Sequence, residues 1–115
     1  MSEYCIDTKD HNGIRVILIE AHRQRKMIKH PELREPSFLL RIKAVIENPG
    51  FIYEDFAEKD RLVYYKYEYS VNGRAKYIKV VVQVRNTPFT IVTAFRPDRV
   101  KERGKSKLIY GKDEE

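Results

Sequence analysis

Two β-rich runs meet at Asn72-Gly73, and this dipeptide constrains the chain more than any other feature. Asn-Gly best tolerates the positive φ angles that a two-residue hairpin turn demands. Leu62 to Ser70 and Arg74 to Val84 therefore read as antiparallel partners, with Val71 opposite Arg74. Carried back without interruption, that register sets Val63 against Val82, Tyr65 against Val80 and Tyr67 against Ile78. These pairs share one face and are all apolar or aromatic, as a core-facing set must be. The other face then carries Tyr64, Lys66, Tyr77, Lys79 and Val81, with Lys66 directly across from Lys79. Like charges opposed on a ladder are destabilising. A lysine pair placed there is expected to hold an anion; the alternative is that both side chains splay into solvent, with Glu68 or Gln83 offsetting the cost.

The remaining elements come from periodicity. Ile14 to Ile19 is dense in β-branched residues and reads as a buried strand, preceded by a turn at His11-Asn12-Gly13. The first nine residues read as a short strand or a loose arm. Helix formers occupy Glu20 to Lys29, and Pro31 ends that helix because the residue before proline is pushed out of the α region. Phe38, Leu39, Ile42, Val45 and Ile46 make one apolar helical stripe, stopped by Asn48-Pro49-Gly50. Phe51 to Asp55 is a short strand, and Phe89 to Phe95 a further antiparallel one. A five-residue loop before it leaves Thr93 on the open face near Val81; a four-residue loop turns Thr93 inward. Helices before a meander give an α+β class.

The chain has 115 residues, enough for one domain over 1–115. Its 42% hydrophobic content supports a small core and argues against disorder. No apolar run reaches a membrane span and no secretory leader is legible at Met1, so a cytoplasmic protein without membrane contact is expected. One cysteine, Cys5, excludes a disulfide framework and a multi-thiolate metal site. The net charge of +6 favours a polyanionic partner, nucleic acid above all. Arg23, Arg25, Lys26 and Lys29 crowd the first helix, and Arg96, Arg99, Lys101, Arg103, Lys105 and Lys107 come after the last of these strands. Asp113-Glu114-Glu115 closes an acidic tail, 111–115, expected to be disordered.

The histidines are His11, His22 and His30. His22 and His30 are eight apart, so no two-histidine helical metal site results, and neither metal nor cofactor is expected. The carboxylates Glu54, Asp55, Glu58 and Asp60 lack the spacing of a metal nuclease. His30 sits at a helix end held by Pro31, where an imidazole titrating near neutrality suits proton transfer.

His30-Pro31-Glu32-Leu33, Glu47-Asn48-Pro49, Tyr64-Tyr65-Lys66, Tyr77-Ile78-Lys79-Val80-Val81-Val82 and Ile91-Val92-Thr93-Ala94-Phe95 occur in this order. Over about residues 14–110 the chain resembles the Barnase–EndoU–colicin–RelE-like nuclease superfamily, in particular its small phage-associated and toxin-like members. The resemblance implies N-terminal helices packed on a four-stranded antiparallel sheet, a meander, and a metal-independent endoribonuclease. It places the helical histidine at His30 and the strand alcohol at Thr93, and implies phosphate-holding residues, for which Lys66, Lys79 and Arg96 are chosen. Some relatives carry a second histidine where this chain has Arg25. Tyr64, Arg25 and Lys29 are further substrate-binding candidates, and the second acid or base is Tyr64, Glu32 or a lysine. RNA is the expected partner, with a cognate antitoxin or immunity protein implied by the toxin-like relatives. The alternative is a non-catalytic nucleic-acid-binding or protein-interaction module with the same basic sheet.

Overall fold

The structure, a computed structural model, describes residues 3–113. Strands β1 (Tyr4–Lys9) and β2 (Arg15–Ile19) form a hairpin, and β2 runs directly into helix α1 (Glu20–Lys26). A 3-10 turn at Pro31–Arg34 leads into helix α2 (Pro36–Glu47). Next come strands β3 (Phe51–Glu54), β4 (Arg61–Val71), β5 (Arg74–Gln83), β6 (Phe89–Phe95) and β7 (Leu108–Gly111). The class is α+β. Among the described residues the sheet has seven strands in the order β1-β2-β6-β5-β4-β3-β7, in place of the expected four, and β2 pairs with β6 in parallel. Strands β3 to β6 lie side by side as an antiparallel meander inside it. Local periodicity could not show that the N-terminal hairpin and β7 extend the meander on its two sides, because those pairings join segments far apart in sequence.

Pro36 starts α2, where its fixed φ suits the first helical position and its missing N–H costs nothing. Phe38, Ile42, Val45 and Ile46 then fall on one buried stripe. They pack on Val16 and Leu18 of β2, Tyr64 of β4, Ile78, Val80 and Val82 of β5, and Ala94 of β6. Burying each large side chain there is worth about 1.5–3 kcal/mol. This is the helix face of the sheet. The second face gathers Phe51, Tyr53, Val63, Tyr65, Tyr77 and Val81. It is covered at its centre by the segment 96–107, which inserts Val100 and Glu102.

The hairpin turn forms as expected, with Asn72 at φ 52° and Gly73 at φ 76°. The register holds for Val71 opposite Arg74, Ser70 opposite Ala75 and Tyr69 opposite Lys76. Glu68 is then a bulge, and beyond it Tyr67 pairs with Tyr77, Tyr65 with Lys79 and Val63 with Val81. One extra residue exchanges the two faces for the rest of the strand. The bulged Glu68 accepts from Arg41 of α2 at 3.0 Å and from Arg96 at 2.8 Å. Two guanidiniums thus hold its carboxylate on the helix side.

A second bulge falls in β6. Val82 pairs with Ile91 and Val81 with Thr93, which leaves Val92 as the extra residue. The loop before β6 spans five residues, 84–88, and Thr93 stands on the second face opposite Val81. The chain beyond β7 does not run free at once: Gly111 lies in the sheet and Asp113 accepts from Tyr53 and Arg103. The disordered tail expected from 111 is therefore corrected for those residues, while 114 and 115 lie outside the described part.

Candidate functional site

The two bulges redistribute the residues picked out from the sequence. Lys66 does not face Lys79: it pairs with Ile78 and belongs to the helix face, whereas Lys79 pairs with Tyr65 on the second face. The expected lysine pair is undone by the single inserted residue at Glu68. Tyr64 is likewise not on an open surface. It is buried in the helix-face core, where its hydroxyl donates to Asp10 at 3.4 Å, and burial raises its pKa. Arg96 also points to the helix side, ion-paired with Glu68 and 4.4 Å above the Phe38 ring. Tyr64, Lys66 and Arg96 therefore cannot share a site with Thr93.

Lys79 and Thr93 share the second face, and His30 meets the strand that carries Thr93 at Phe95. Phe95 pairs with Lys79 across β6 and β5, and the His30 ring stacks on Phe95 at 4.6 Å and 4°. The Lys79 ammonium lies 5.6 Å from the same ring. Burial lowers the His30 pKa; Glu32 opposes that shift and Lys29 and Lys26 reinforce it. Lys79, however, is only 7% exposed and its charge is spent. It donates to Glu102 at 3.2 Å, and Tyr65 donates to the other Glu102 oxygen at 2.5 Å. Burial and that hydrogen bond raise the Tyr65 pKa. The Thr93 hydroxyl is buried without a hydrogen-bond partner among the described residues. The segment 96–107 seals this centre, so a polymer cannot reach Lys79 there.

The accessible chemistry lies further toward the start of β4. Among the described residues β2 meets β6 at Phe89 and Thr90, and past that point this edge of β6 has no strand partner. Helix α1 fills the place beside it, and the Val92 bulge turns a carbonyl outward. His22 of α1 meets that carbonyl at 2.6 Å, with Nε2–H as donor. Its other nitrogen, Nδ1, faces the Arg25 guanidinium at 3.1 Å. Positions i and i+3 share a helix face, so His22 and Arg25 present together. Arg23, pointing away, anchors the helix: it pairs with Glu20, whose carboxyl it holds down to about 2, and donates to the Leu33 carbonyl at 2.7 Å. Arg25 therefore does sit at a candidate site, while Lys29 is exposed beyond the helix end.

Across from α1, Arg61, Gln83 and Thr90 form one row on the second face, since Arg61 pairs with Gln83 and Gln83 with Thr90. Together with Ile19, Ala21, Ile91 and Val92 they enclose a cleft of about 360 Å³. Its lining thus holds an imidazole, two guanidinium residues, a hydroxyl and a primary amide. No carboxylate stands among the described residues that line it. Arg61 has no ion-pair partner among the described residues, unlike Arg15, Arg23, Arg41, Arg85, Arg96 and Arg103. Such a lining offers directional donors that suit an anion, beside an imidazole, a group that can carry a proton.

None of His22, Arg61, Gln83 and Thr90 was among the site residues expected from the sequence. The spacing of His22 and Arg25 is a local signal that could have found that pair. The row of Arg61, Gln83 and Thr90 has no such signal, because it depends on pairings beyond both bulges. Comparison with protein-family models, curated proteins and solved structures finds no match to this chain.

Proposed function

We propose that this chain is a metal-independent endoribonuclease of the Barnase–EndoU–colicin–RelE-like type, with its site in the cleft between α1 and the second face of the sheet. The observation that carries this reading is the cleft lining: His22, Arg25, Arg61, Gln83 and Thr90 converge, with no carboxylate among the described residues there. RNA brings its own nucleophile, the 2′-hydroxyl. His22 Nδ1 accepts the proton of that hydroxyl, the 2′ oxygen bonds to phosphorus, and the bond to the 5′ oxygen breaks. The proton returns from the imidazolium to the departing 5′ oxygen. Arg25 leaves Nδ1 for the phosphate, and Arg61 with the Thr90 hydroxyl holds the negative charge that builds on the phosphorane. The Val92 carbonyl keeps the His22 proton on Nε2, which leaves Nδ1 with the free lone pair. A cytoplasmic setting and an acidic antitoxin or immunity partner covering the same cationic cleft belong to this proposal.

The test is incubation of the purified chain with mixed RNA in EDTA. Cleavage with 2′,3′-cyclic phosphate ends is expected, and His22→Ala should lower the rate by about 10²–10⁴-fold. Full activity in His22→Ala would remove the assignment.

A second reading is favoured by one contact. Both His22 nitrogens already have protein partners, as they would in a group that only caps the sheet edge. Then the same cleft binds RNA without cutting it. Steeply salt-dependent binding with no product in any assay would select this reading.

A further inference from the structure

At the opposite end of the second face lies another concavity. The Tyr67–Tyr77 pair ends the run of residues on that face before the Glu68 bulge. Phe51, Tyr67 and Tyr77 wall a cavity of about 530 Å³, completed by Gly50, Ala75 and Lys112. The Tyr67 and Tyr77 rings stand 6.3 Å apart at 79°, and Phe51 and Tyr77 stand 6.0 Å apart at 79°. Phe51 and Tyr77 are buried and form the floor, while Tyr67 is exposed and offers its ring to solvent; Gly50 and Ala75 contribute almost no side-chain bulk beside it. Gly111 sets the rim. Its φ is 73°, and a Cβ there would lie 2.1 Å from the Gly50 carbonyl oxygen. Only glycine lets the end of β7 approach Gly50 so closely, and this approach brings Lys112 to the slot. Lys112 has no ion-pair partner among the described residues, and no carboxylate stands among those that line the slot.

Between this slot and the cleft at His22, the outer surface of the 96–107 segment forms a third depression, lined by Arg99, Val100, Lys101, Arg103 and Lys105. Gln83 and Tyr77 are six residues apart on β5, which separates the two ends by about 20 Å of strand. The second face thus runs from a cleft with guanidinium and imidazole groups, over a basic saddle, to a slot where the exposed Tyr67 ring stands over a floor of Tyr77 and Phe51, with an ammonium at its rim. Stacking needs only the π-face that every base has, and a cationic track follows a phosphate backbone.

We propose that the Phe51–Tyr67–Tyr77 slot is a nucleobase-binding subsite for single-stranded RNA, engaging a base several nucleotides away from the phosphate held at His22 and Arg61. This rests on the reading of the second face as an RNA surface, and it adds a minimum length and an unpaired strand to the substrate.

The probe is a ten-nucleotide 2′-O-methyl RNA, which cannot be cleaved, so binding is read without the chemistry. Tyr67 is 54% exposed, and its replacement leaves the core intact. Tyr67→Ala should weaken binding of this oligonucleotide about 5- to 150-fold, the worth of one base stacked on one ring. Tyr67→Phe should retain the affinity, because the ring does the binding. Tyr69 is an equally plain control: it is exposed on the same strand, but beyond the bulge it pairs with Lys76 on the other face. Tyr69→Ala should leave affinity unchanged. Unaltered binding by Tyr67→Ala, or an equal loss in Tyr69→Ala, would overturn the proposal. An oligonucleotide held in a Tyr67-dependent way while unmodified RNA is never cut would keep the slot and remove the cleavage reading.

Discussion

Beneath α2 the sheet buries aliphatic side chains such as Ile78, Val80 and Val82; on its other side it buries Tyr65, Tyr77 and Lys79 beneath a loop. A helix presents a wide apolar stripe, so the helix face closes over most of its width. The loop 96–107 buries one apolar anchor, Val100, and one carboxylate, Glu102, so it closes only the middle of the second face. Left open at either end are a cleft with imidazole and guanidinium groups and a slot at the exposed Tyr67 ring. One face thus commits its residues to stability. The other keeps cationic and aromatic groups within reach of solvent.

The sharpest way to break this division is through cover. On the helix face, Phe38→Ala should lower the unfolding free energy by about 3–5 kcal/mol, read from urea midpoints, because Phe38 is fully buried and its loss leaves a cavity. On the second face, Glu102→Ala strands the Lys79 ammonium and should cost a comparable amount, about 3–5 kcal/mol. The mechanisms differ, and a combined exchange separates them. Replacing Lys79 by Met, Glu102 by Leu and Tyr65 by Phe together should recover most of the loss, since matched apolar groups need no counter-charge and no hydroxyl is left without its acceptor. No recovery would mean that the loop is held by shape rather than by the ion pair.

A smaller effect concerns His30. Its folded pKa is below the ordinary 6.5, so the unfolded chain binds the proton more readily. The contribution to stability is therefore present above about pH 6.5 and falls as pH drops through the folded value. His30→Phe keeps a ring on Phe95 and should flatten the decline in urea midpoint between pH 7 and pH 5. An unchanged decline would assign the pH dependence to other groups. The smallest effect is expected at Lys66, half-buried on the helix face and without an ion-pair partner among the described residues. Lys66→Ala should shift stability by no more than about 0.5 kcal/mol. A large loss of RNA cleavage in that variant would contradict the separation of the two faces.

Much of this architecture was legible in the amino acids. The Asn72-Gly73 turn, the apolar stripe of α2 and the β-branched runs are local signals, and each lies where periodicity puts it. The candidate site was less legible because both bulges act on parity. Glu68 and Val92 each insert one residue, and each insertion exchanges the faces of the residues beyond it on the same strand. Lys66 thereby left the site, and Arg61 and Gln83 came to share a row with Thr90. The anchors of the Glu68 bulge, Arg41 and Arg96, lie 27 and 28 residues away along the chain. No window of sequence contains both the carboxylate and the guanidiniums that hold it.

By itself, the sequence determined an α+β chain with a central hairpin, an amphipathic helix and an excess of cations, since turn chemistry, hydrophobic period and charge are properties of neighbouring residues. Which side chains meet was decided by tertiary structure alone. The seven-stranded order, the loop over Lys79 and the pairing of His22 with a bulged carbonyl depend on contacts between distant segments, and a strand's two faces remain interchangeable until such contacts choose between them.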